Sequence, residues 1–147
     1  MGSIKHFNIL VTPLKRIKTP KGDVLHALKK KDEGFKDFGE AYFSWISNKS
    51  IKAWKYHSRM TMNLVVPVGQ VCFVFYKKNR FGYEEFQVEE IGVRRYARLT
   101  VPPGLWFGFK GLYSPKSLIL NISNIPHNEK EIKRRNLCAI KYNWNKK

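Results

Sequence analysis

The sequence has little negative charge. It contains 11 Asp and Glu residues against 28 Lys and Arg residues, which gives a formal net charge of +17. Such an excess predicts an anionic partner, and nucleic acid is one class to consider because Lys and Arg neutralise phosphates. The cations are spread along the whole chain, however, and no zinc-knuckle, helix-turn-helix or RNP pattern is present. We therefore expect no nucleic-acid partner. A basic surface without functional meaning stays open, and so does a phosphate-bearing small molecule.

Cysteine is scarce, and long apolar runs are absent. Cys72 and Cys138 lie far apart in the sequence and form neither a disulfide framework nor a metal-ligand spacing, which fits a reducing compartment. No segment approaches the roughly 18 consecutive apolar residues of a membrane span. The first residues also lack the apolar core of a signal peptide. These absences predict a cytoplasmic protein without a membrane partner.

Several catalytic motifs are missing as well. The sequence has no GxxxxGK[ST] phosphate loop, no GxGxxG after a strand and no GxSxG nucleophile turn. The acidic pairs Glu84-Glu85 and Glu89-Glu90 are predicted to be solvated, because adjacent residues of a strand face opposite sides and cannot form a glycosidase pair. The common nucleotide-hydrolysing, dinucleotide-binding and glycosidase classes are thus disfavoured.

Short alternating segments separated by turn residues are the main structural signal. Clear strands are predicted over Glu40–Ile46, Val71–Tyr76, Glu84–Glu90, Tyr96–Val101 and Leu118–Ile122. Turn signals such as Pro67-Val68-Gly69 and Pro102-Pro103-Gly104 lie between them. Short strands with regular turns predict an all-β barrel or sandwich.

The two ends of the chain differ from this central region. Near the start, a turn at residues 19–23 suggests an extended strand followed by a second strand at Val24–Leu28. Near the end, the charged segment Asn128–Asn136 predicts either a short C-terminal helix or an exposed extended tail. We divide the single domain of residues 1–147 into N-terminal strands (1–30), a barrel core (35–125) and a basic tail (126–147).

Two stretches carry the candidate site, IKAWKYHSRMTMN at Ile51–Asn63 and LTVPPGLWFGFKG at Leu99–Gly111. Strand alternation places Lys55 and His57 on one face, and Arg59 joins them if the strand continues. Three cationic groups on one face favour an anionic ligand.

These stretches also carry a family resemblance. The segment KAWKYHSRMTMNLVVPVGQVCF resembles the strand and turn that open the site in cupins, and within cupins in the dTDP-4-dehydrorhamnose 3,5-epimerase family. VPPGLWFGFKGL resembles that family's second turn, GEAYF at residues 39–43 the strand before the site, and Leu118–Asn124 the strand that closes it. The resemblance covers residues 35–125 and implies a cupin jelly-roll β-barrel, which usually pairs into a homodimer through strand exchange.

The same resemblance allows a prediction about metal binding. Cupins that bind a metal use a His-x-His pair, a nearby Glu and a later His, whereas this chain has Lys55-Tyr56-His57 and then Phe107. A lone His beside a cation is a poor ligand set for a divalent ion. We therefore expect no metal and no cofactor.

The resemblance implies an isomerase or epimerase of surface polysaccharide biosynthesis, which acts on a nucleotide-linked 4-keto-6-deoxy sugar by removing a proton next to the ketone. The family uses a His base and a Tyr acid. The His position holds Lys55, and the closing segment Asn121–Ile125 contains no phenol. Lys55 is either a base or electrophile, if its surroundings lower its pKa, or a ligand for a phosphate or keto oxygen. Tyr42 is a candidate replacement for the acid.

The remaining candidate residues bind substrate. Arg59 would clamp a diphosphate, while Lys52 would help to position the anionic substrate. His57 is either catalytic or a structural histidine, and Asn63 binds a sugar hydroxyl or is structural. Trp106 and Phe107 stack on the ligand or belong to the core. Asn121, on the closing strand, completes the set. The alternative function is a non-catalytic cupin that binds a nucleotide sugar or a glycan, so whether the chain is an enzyme stays open.

Overall fold

The computed structural model describes residues 2–4 and 6–145, which form thirteen strands and three short 3₁₀ turns. The 3₁₀ turns lie at His6–Asn8, Glu129–Glu131 and Leu137–Ala139. Within these described residues, no helix has the length and apolar character needed to cross a membrane. The strands are β1 (Ser3–Ile4), β2 (Leu10–Pro13), β3 (Arg16–Ile17), β4 (Val24–Leu25), β5 (Glu40–Ser47), β6 (Ile51–His57), β7 (Met62–Val68), β8 (Gln70–Lys78), β9 (Glu84–Gly92), β10 (Ala97–Val101), β11 (Trp106–Gly111), β12 (Lys116–Ser123) and β13 (Ile132–Arg134).

Two antiparallel sheets enclose the core. One has the strand order β1-β2-β10-β7-β12-β5 and the other β13-β6-β11-β8-β9, while β3 and β4 form a separate hairpin. Leu64 and Leu99 of the first sheet belong to the same buried cluster as Phe73, Phe75 and Ile91 of the second. The apolar faces of both sheets therefore meet, which confirms the predicted all-β jelly roll.

The predicted strands are confirmed, and most are longer than the sequence indicated. Strand alternation is clearest in β12, where Ile119 and Asn121 are buried on the inner face and Leu118 and Leu120 lie on the outer face. These outer leucines pair in register with Trp45 and Phe43 of β5. One sheet face thus lines the interior and the other is open to solvent.

The C-terminal segment is extended, but it is not an exposed tail. β13 pairs with β6, with Ile132 opposite His57 and Arg134 opposite Lys55. Glu131, directly before β13, is only 3% exposed. The segment is therefore part of the five-stranded sheet and contributes side chains to the interior.

The prediction that Glu89 is solvated is wrong. Register places Glu89 opposite Phe73 on the inner face, where it is 6% exposed, while Val88 beside it faces out. Arg95 and Gln87 donate hydrogen bonds to its two carboxylate oxygens at 3.0 and 2.9 Å. The buried carboxylate is tolerated because both oxygens are paired, a contact that no local pattern reveals.

The turn between β7 and β8 depends on Gly69. Its φ of +89° lies in the left-handed region, and a Cβ at this position would lie 2.7 Å from the Cβ of Ser117. The Ser117 hydroxyl accepts a hydrogen bond from Gln70 N and donates one to Gln70 O, both at 3.1 Å. Both the backbone conformation and the close approach of β12 therefore require glycine here.

Gly82 offers a matched comparison, since its φ is +84° but a Cβ there would meet no atom within 4 Å. We expect Gly82→Ala to destabilise the protein by about 1 kcal/mol through backbone strain alone. Gly69→Ala should cost about 3 kcal/mol because overpacking adds to the strain. Urea unfolding of both variants measures the difference, and equal losses would show that the contact with Ser117 has no energetic role.

Candidate active site

A cavity of about 380 Å³ opens between the two sheets. Apolar side chains from both sheets form its floor, and polar groups surround its mouth. The six-stranded sheet contributes Tyr42, Ser44, Met62, Leu64, Ile119 and Asn121, and the five-stranded sheet contributes Lys52, Ala53, Trp54, Lys55, Phe73, Phe107, Phe109 and Arg134. An apolar pocket with a few polar groups on its walls is the usual form of a small-molecule site.

An irregularity in β6 places two lysines on the cavity side. β11 pairs Phe109 with Lys52 and Phe107 with Lys55, so Trp54 is an extra residue without a partner in that strand. In a regular strand, residues three apart face opposite sides. Because of the bulge, both lysines line the cavity.

Although Trp54 is among the residues that line the cavity, its indole ring packs on the opposite side of this sheet. It is 2% exposed, and its ring lies 5.4 Å from that of Trp144. Its indole nitrogen donates a hydrogen bond to Leu137 O at 3.1 Å. The C-terminal residues thus cover the outer face of the bulge and hold it in place.

Lys55 is a partly buried cation of the cavity. Burial is the main cause of the lowered pKa of its ammonium, and the positive charge of Arg134 lowers it further. Glu129 and Glu131 oppose this shift without cancelling it, and Lys52 adds to it. Desolvation and neighbouring cations both favour a neutral amine, which is the form that accepts a proton.

Lys52 marks the rim of the cavity. Its ammonium donates a hydrogen bond to Trp45 O at 2.9 Å, which joins the two sheets across the gap. A fixed, exposed ammonium at this point adds a positive charge to the mouth without blocking the interior.

Tyr42 and Asn121 form a polar pair on the other sheet. They are opposite each other in the β5–β12 register, and Asn121 Nδ2 donates to the Tyr42 hydroxyl oxygen at 3.0 Å. The phenolic proton therefore remains available to another acceptor. Asn121 Oδ1 is buried and has no hydrogen-bond partner among the described residues. The pair thus offers one donor, the phenolic hydroxyl of Tyr42, on the wall opposite the lysines.

His57 lies behind the cavity wall. It is 5% exposed, its ring stacks on Phe107 at 5.8 Å, and it is not among the residues that line the cavity. Its Nδ1 lies 2.5 Å from Glu131 Oε2. Burial lowers the pKa of His57 despite the opposing effect of the carboxylate, so the neutral imidazole donates its Nδ1–H to Glu131.

Glu131 holds the turn after β6. Its other carboxylate oxygen accepts hydrogen bonds from Arg59 N and Met60 N, each at 3.0 Å, and its carbonyl accepts one from Ser58 Oγ at 3.0 Å. Burial raises the pKa of Glu131, but the hydrogen bonds from His57, Arg59 and Met60 outweigh it and leave the pKa below its usual value. The ionised carboxylate is therefore a fixed part of the fold.

Three residues predicted to bind substrate lie elsewhere. Arg59 has an exposed side chain in the turn after β6. Asn63 is buried and donates to Gly34 O at 3.1 Å while it accepts from Thr100 Oγ1 at 2.6 Å. Trp106 packs against Tyr56 and Arg135 on the outer face of the five-stranded sheet. None of the three lines the cavity, and their predicted contacts with substrate stay predictions.

Lys55, Tyr42, Lys52, Phe107 and Asn121 line the cavity, and their roles in catalysis and substrate binding stay predictions. The sequence did not indicate a role for Arg134 or Glu131, because the charged segment around them predicts a short helix or an exposed extended tail. An alternating pattern is too short in the three-residue strand β13 to reveal either role.

Among the comparisons with known proteins, only those with solved structures found similar proteins. No protein-family profile and no curated protein matches the sequence. The crystal structure of a dTDP-sugar isomerase from Desulfovibrio desulfuricans G20 superposes with a TM-score of 0.87 at 30% identity, over 99% of this chain and 94% of that one. The chain belongs to the dTDP-sugar isomerase and epimerase family.

Two solved structures of lower identity share the fold. A dTDP-4-dehydrorhamnose 3,5-epimerase from Sulfolobus tokodaii superposes with a TM-score of 0.82 at 15% identity, over 97% of this chain and 85% of that one. A sugar 3,4-ketoisomerase from Thermoanaerobacterium thermosaccharolyticum, in complex with TDP, has a TM-score of 0.73 at 16% identity, over 89% and 90% of the two chains. The resemblance inferred from the sequence is confirmed at the level of the family and its cupin fold.

The donor set at the cavity does not resemble a metal site. Within the part of the chain that the structure describes, no three His, Cys, Asp or Glu side chains are close enough together to hold an ion. The imidazole of His57, behind the cavity wall, is engaged by the Glu131 carboxylate. The charged side chains that line the cavity are the cations Lys52, Lys55 and Arg134. The expectation that no metal binds stays a prediction.

Substitution of Glu131 tests its role in holding the turn. We expect Glu131→Gln to lower the free energy of unfolding by about 2 kcal/mol at pH 7, because it removes the charge that accepts three buried hydrogen bonds. Since the folded pKa is lowered, the stabilisation is present above the ordinary value of 4.5 and is lost as the pH falls below it.

Urea unfolding at neutral and acidic pH measures this effect, and the exposed Glu129 supplies the control as Glu129→Gln. The two variants should differ at pH 7 and converge in acid. A loss from Glu131→Gln that does not depend on pH would contradict an ionised carboxylate in the folded state.

Proposed function

We propose that this protein is an isomerase or epimerase acting on a dTDP-linked 4-keto-6-deoxy sugar, and that it does so without a metal. The observation that carries the proposal is a cavity with an amine of lowered pKa on one sheet and a phenol on the other. Membership of a family of dTDP-sugar enzymes supports the substrate class. The apolar floor and cationic mouth fit a deoxy sugar attached to a diphosphate.

The chemistry begins at the carbon next to the keto group. The neutral Lys55 amine takes the proton from that carbon, the C–H electron pair forms the enolate, and the keto oxygen gains negative charge. The Tyr42 hydroxyl lies on the opposite wall and donates a proton when the enolate collapses. An epimerase returns a proton to the same carbon on its other face, whereas an isomerase returns it to the neighbouring carbon through the enediol.

Other cavity residues hold the substrate for this step. Asn121 keeps the Tyr42 oxygen in place through its side-chain amide. Phe107 offers a ring face to the sugar, and Lys52 adds positive charge at the rim. His57 acts from behind Phe107 by keeping the Glu131 anchor ordered.

The biological setting follows from the same proposal. We propose that residues 1–147 form one cupin domain that works in the cytoplasm in surface polysaccharide biosynthesis. We also propose a homodimer, since Phe43 and Trp45 are 62% and 47% exposed side by side on the outer face of the six-stranded sheet. A large exposed apolar area of this kind favours association with another protein surface.

Solvent exchange tests the activity. Incubation with dTDP-4-keto-6-deoxyglucose in deuterated water should place deuterium at C3 or C5 of the sugar if the protein is an epimerase, and at C4 of the 3-keto product if it is an isomerase. Lys55→Ala should lower this rate by about 10²-fold or more while the affinity changes little, because removal of a general base affects the chemical step. Lys133→Ala is the matched control, since Lys133 lies in β13 on the outer face above Tyr56.

The possible results separate the two functions considered for this chain. Exchange by the native protein and by Lys133→Ala, but not by Lys55→Ala, supports catalysis. Binding without exchange in the native protein would leave the non-catalytic cupin as the function, and equal rates in all three proteins would remove Lys55 from the mechanism.

The pH dependence gives a second test. Because Lys55 must lose its proton to act as a base, kcat should rise with pH and level off below the ordinary lysine value of 10.5. Small amines added to Lys55→Ala should restore part of the rate in proportion to their unprotonated fraction. A flat profile between about pH 6 and 10, together with no rescue by amines, would argue against a lysine base.

A further inference from the structure

Arg134 is the cavity cation that the mechanism above does not use. It lies on β13 directly opposite Lys55, and its side chain lines the mouth of the cavity with 52% of its surface exposed. Its two neighbours lie on the other face, where Lys133 packs over Tyr56 at 5.1 Å and Arg135 over Trp106 at 4.3 Å. Register alone therefore selects Arg134 among three consecutive cations for contact with a ligand.

The guanidinium of Arg134 already binds a two-oxygen group. Its two terminal nitrogens donate to the two carboxylate oxygens of Glu129 at 2.6 and 3.0 Å. Glu129 also lies 2.6 Å from His127 Nε2, and Arg134 is the main cause of a Glu129 pKa lowered to about 2. Because both partners of this pair are exposed, water competes for it and the fold does not depend on it.

The charge balance of the cavity favours an anionic ligand at this position. Lys52, Lys55 and Arg134 line the cavity, and none of the described lining residues is Asp or Glu. Lys52 already donates a hydrogen bond to Trp45 O, and Lys55 is partly buried, which lowers the pKa of its ammonium. Arg134 is exposed at the mouth, and its planar fork fits two oxygens of a phosphate as well as those of a carboxylate.

We propose that Arg134 binds the diphosphate of the nucleotide sugar and that Glu129 occupies the same edge of the guanidinium until the ligand displaces it. This inference rests on the proposed function, because it names the group that holds that substrate. It also gives the cations separate roles, with the exposed guanidinium on the diphosphate and the buried amine at the sugar.

Calorimetric titration with dTDP and with inorganic pyrophosphate tests the proposal without turnover. Arg134→Ala should weaken dTDP binding by about 10- to 100-fold, as expected for the loss of a bidentate charged contact. Arg135→Ala is the matched control, since it removes the same charge from the next residue on the outer face. That variant should bind dTDP with an affinity within about 2-fold of the native protein, and the excess loss in Arg134→Ala then measures the contact and not the net charge.

A double-mutant cycle tests the role of Glu129. Glu129→Gln should tighten dTDP binding several-fold, because the competitor for Arg134 is removed. The same change should have little effect in the Arg134→Ala background. Tightening of equal size in both backgrounds would show a general charge effect and would overturn the displacement of Glu129.

The outcomes also separate this inference from the proposed function. Equal affinities of Arg134→Ala and Arg135→Ala overturn the inference even if deuterium exchange is observed. The expected affinities together with no exchange keep Arg134 as the diphosphate residue of a binding protein. Failure of the native protein to bind either dTDP or pyrophosphate overturns the inference outright.

Discussion

The buried carboxylate of Glu131 is the contact on which the site depends. It joins the C-terminal segment to the turn after β6 by accepting hydrogen bonds from His57, Arg59 and Met60. An ionised carboxylate without partners in this position would be strongly destabilising, so all of these groups must be in place together. β13 begins at the next residue, and the anchor therefore sets the register that brings Arg134 beside Lys55.

The bulge at Trp54 is the second constraint, and it depends on the same C-terminal segment. Trp54 N donates to Arg135 O at 3.0 Å, and Arg135 N donates to Trp54 O at 3.1 Å, so the extra residue of β6 is paired with the residue just after β13. Gly108 allows the close approach on the other side, since a Cβ there would lie 2.5 Å from the Cβ of Ala53. The irregular strand thus keeps its backbone hydrogen bonds while it turns Lys52 and Lys55 to one side.

The distribution of aromatic residues separates the interior from the outer surface. Phe73, Phe107 and Phe109 form the cavity floor, whereas Trp54, Tyr56, Trp106, Tyr142 and Trp144 cover the outside of the same sheet. Cations stack on the outer rings, with Lys133 over Tyr56 and Arg135 over Trp106. Some of the positively charged side chains therefore pack on aromatic rings of the outer surface, whereas Lys52, Lys55 and Arg134 line the cavity.

The sequence by itself determined the all-β class, the central strands and the family resemblance, and it showed Lys55 at the position of the family's base and no phenol at the position of its acid. These properties follow from period-two alternation, turn residues and short motifs, which are local and can be read along the chain. Only the tertiary structure decided that Arg134 and not Arg59 lines the cavity, that His57 is held by Glu131, and that Trp106 faces outward. Those outcomes depend on a bulge and on pairing between segments more than 70 residues apart, as for His57 and Glu131. One extra residue in a strand reverses every side chain beyond it, and no local pattern specifies where that residue is accommodated.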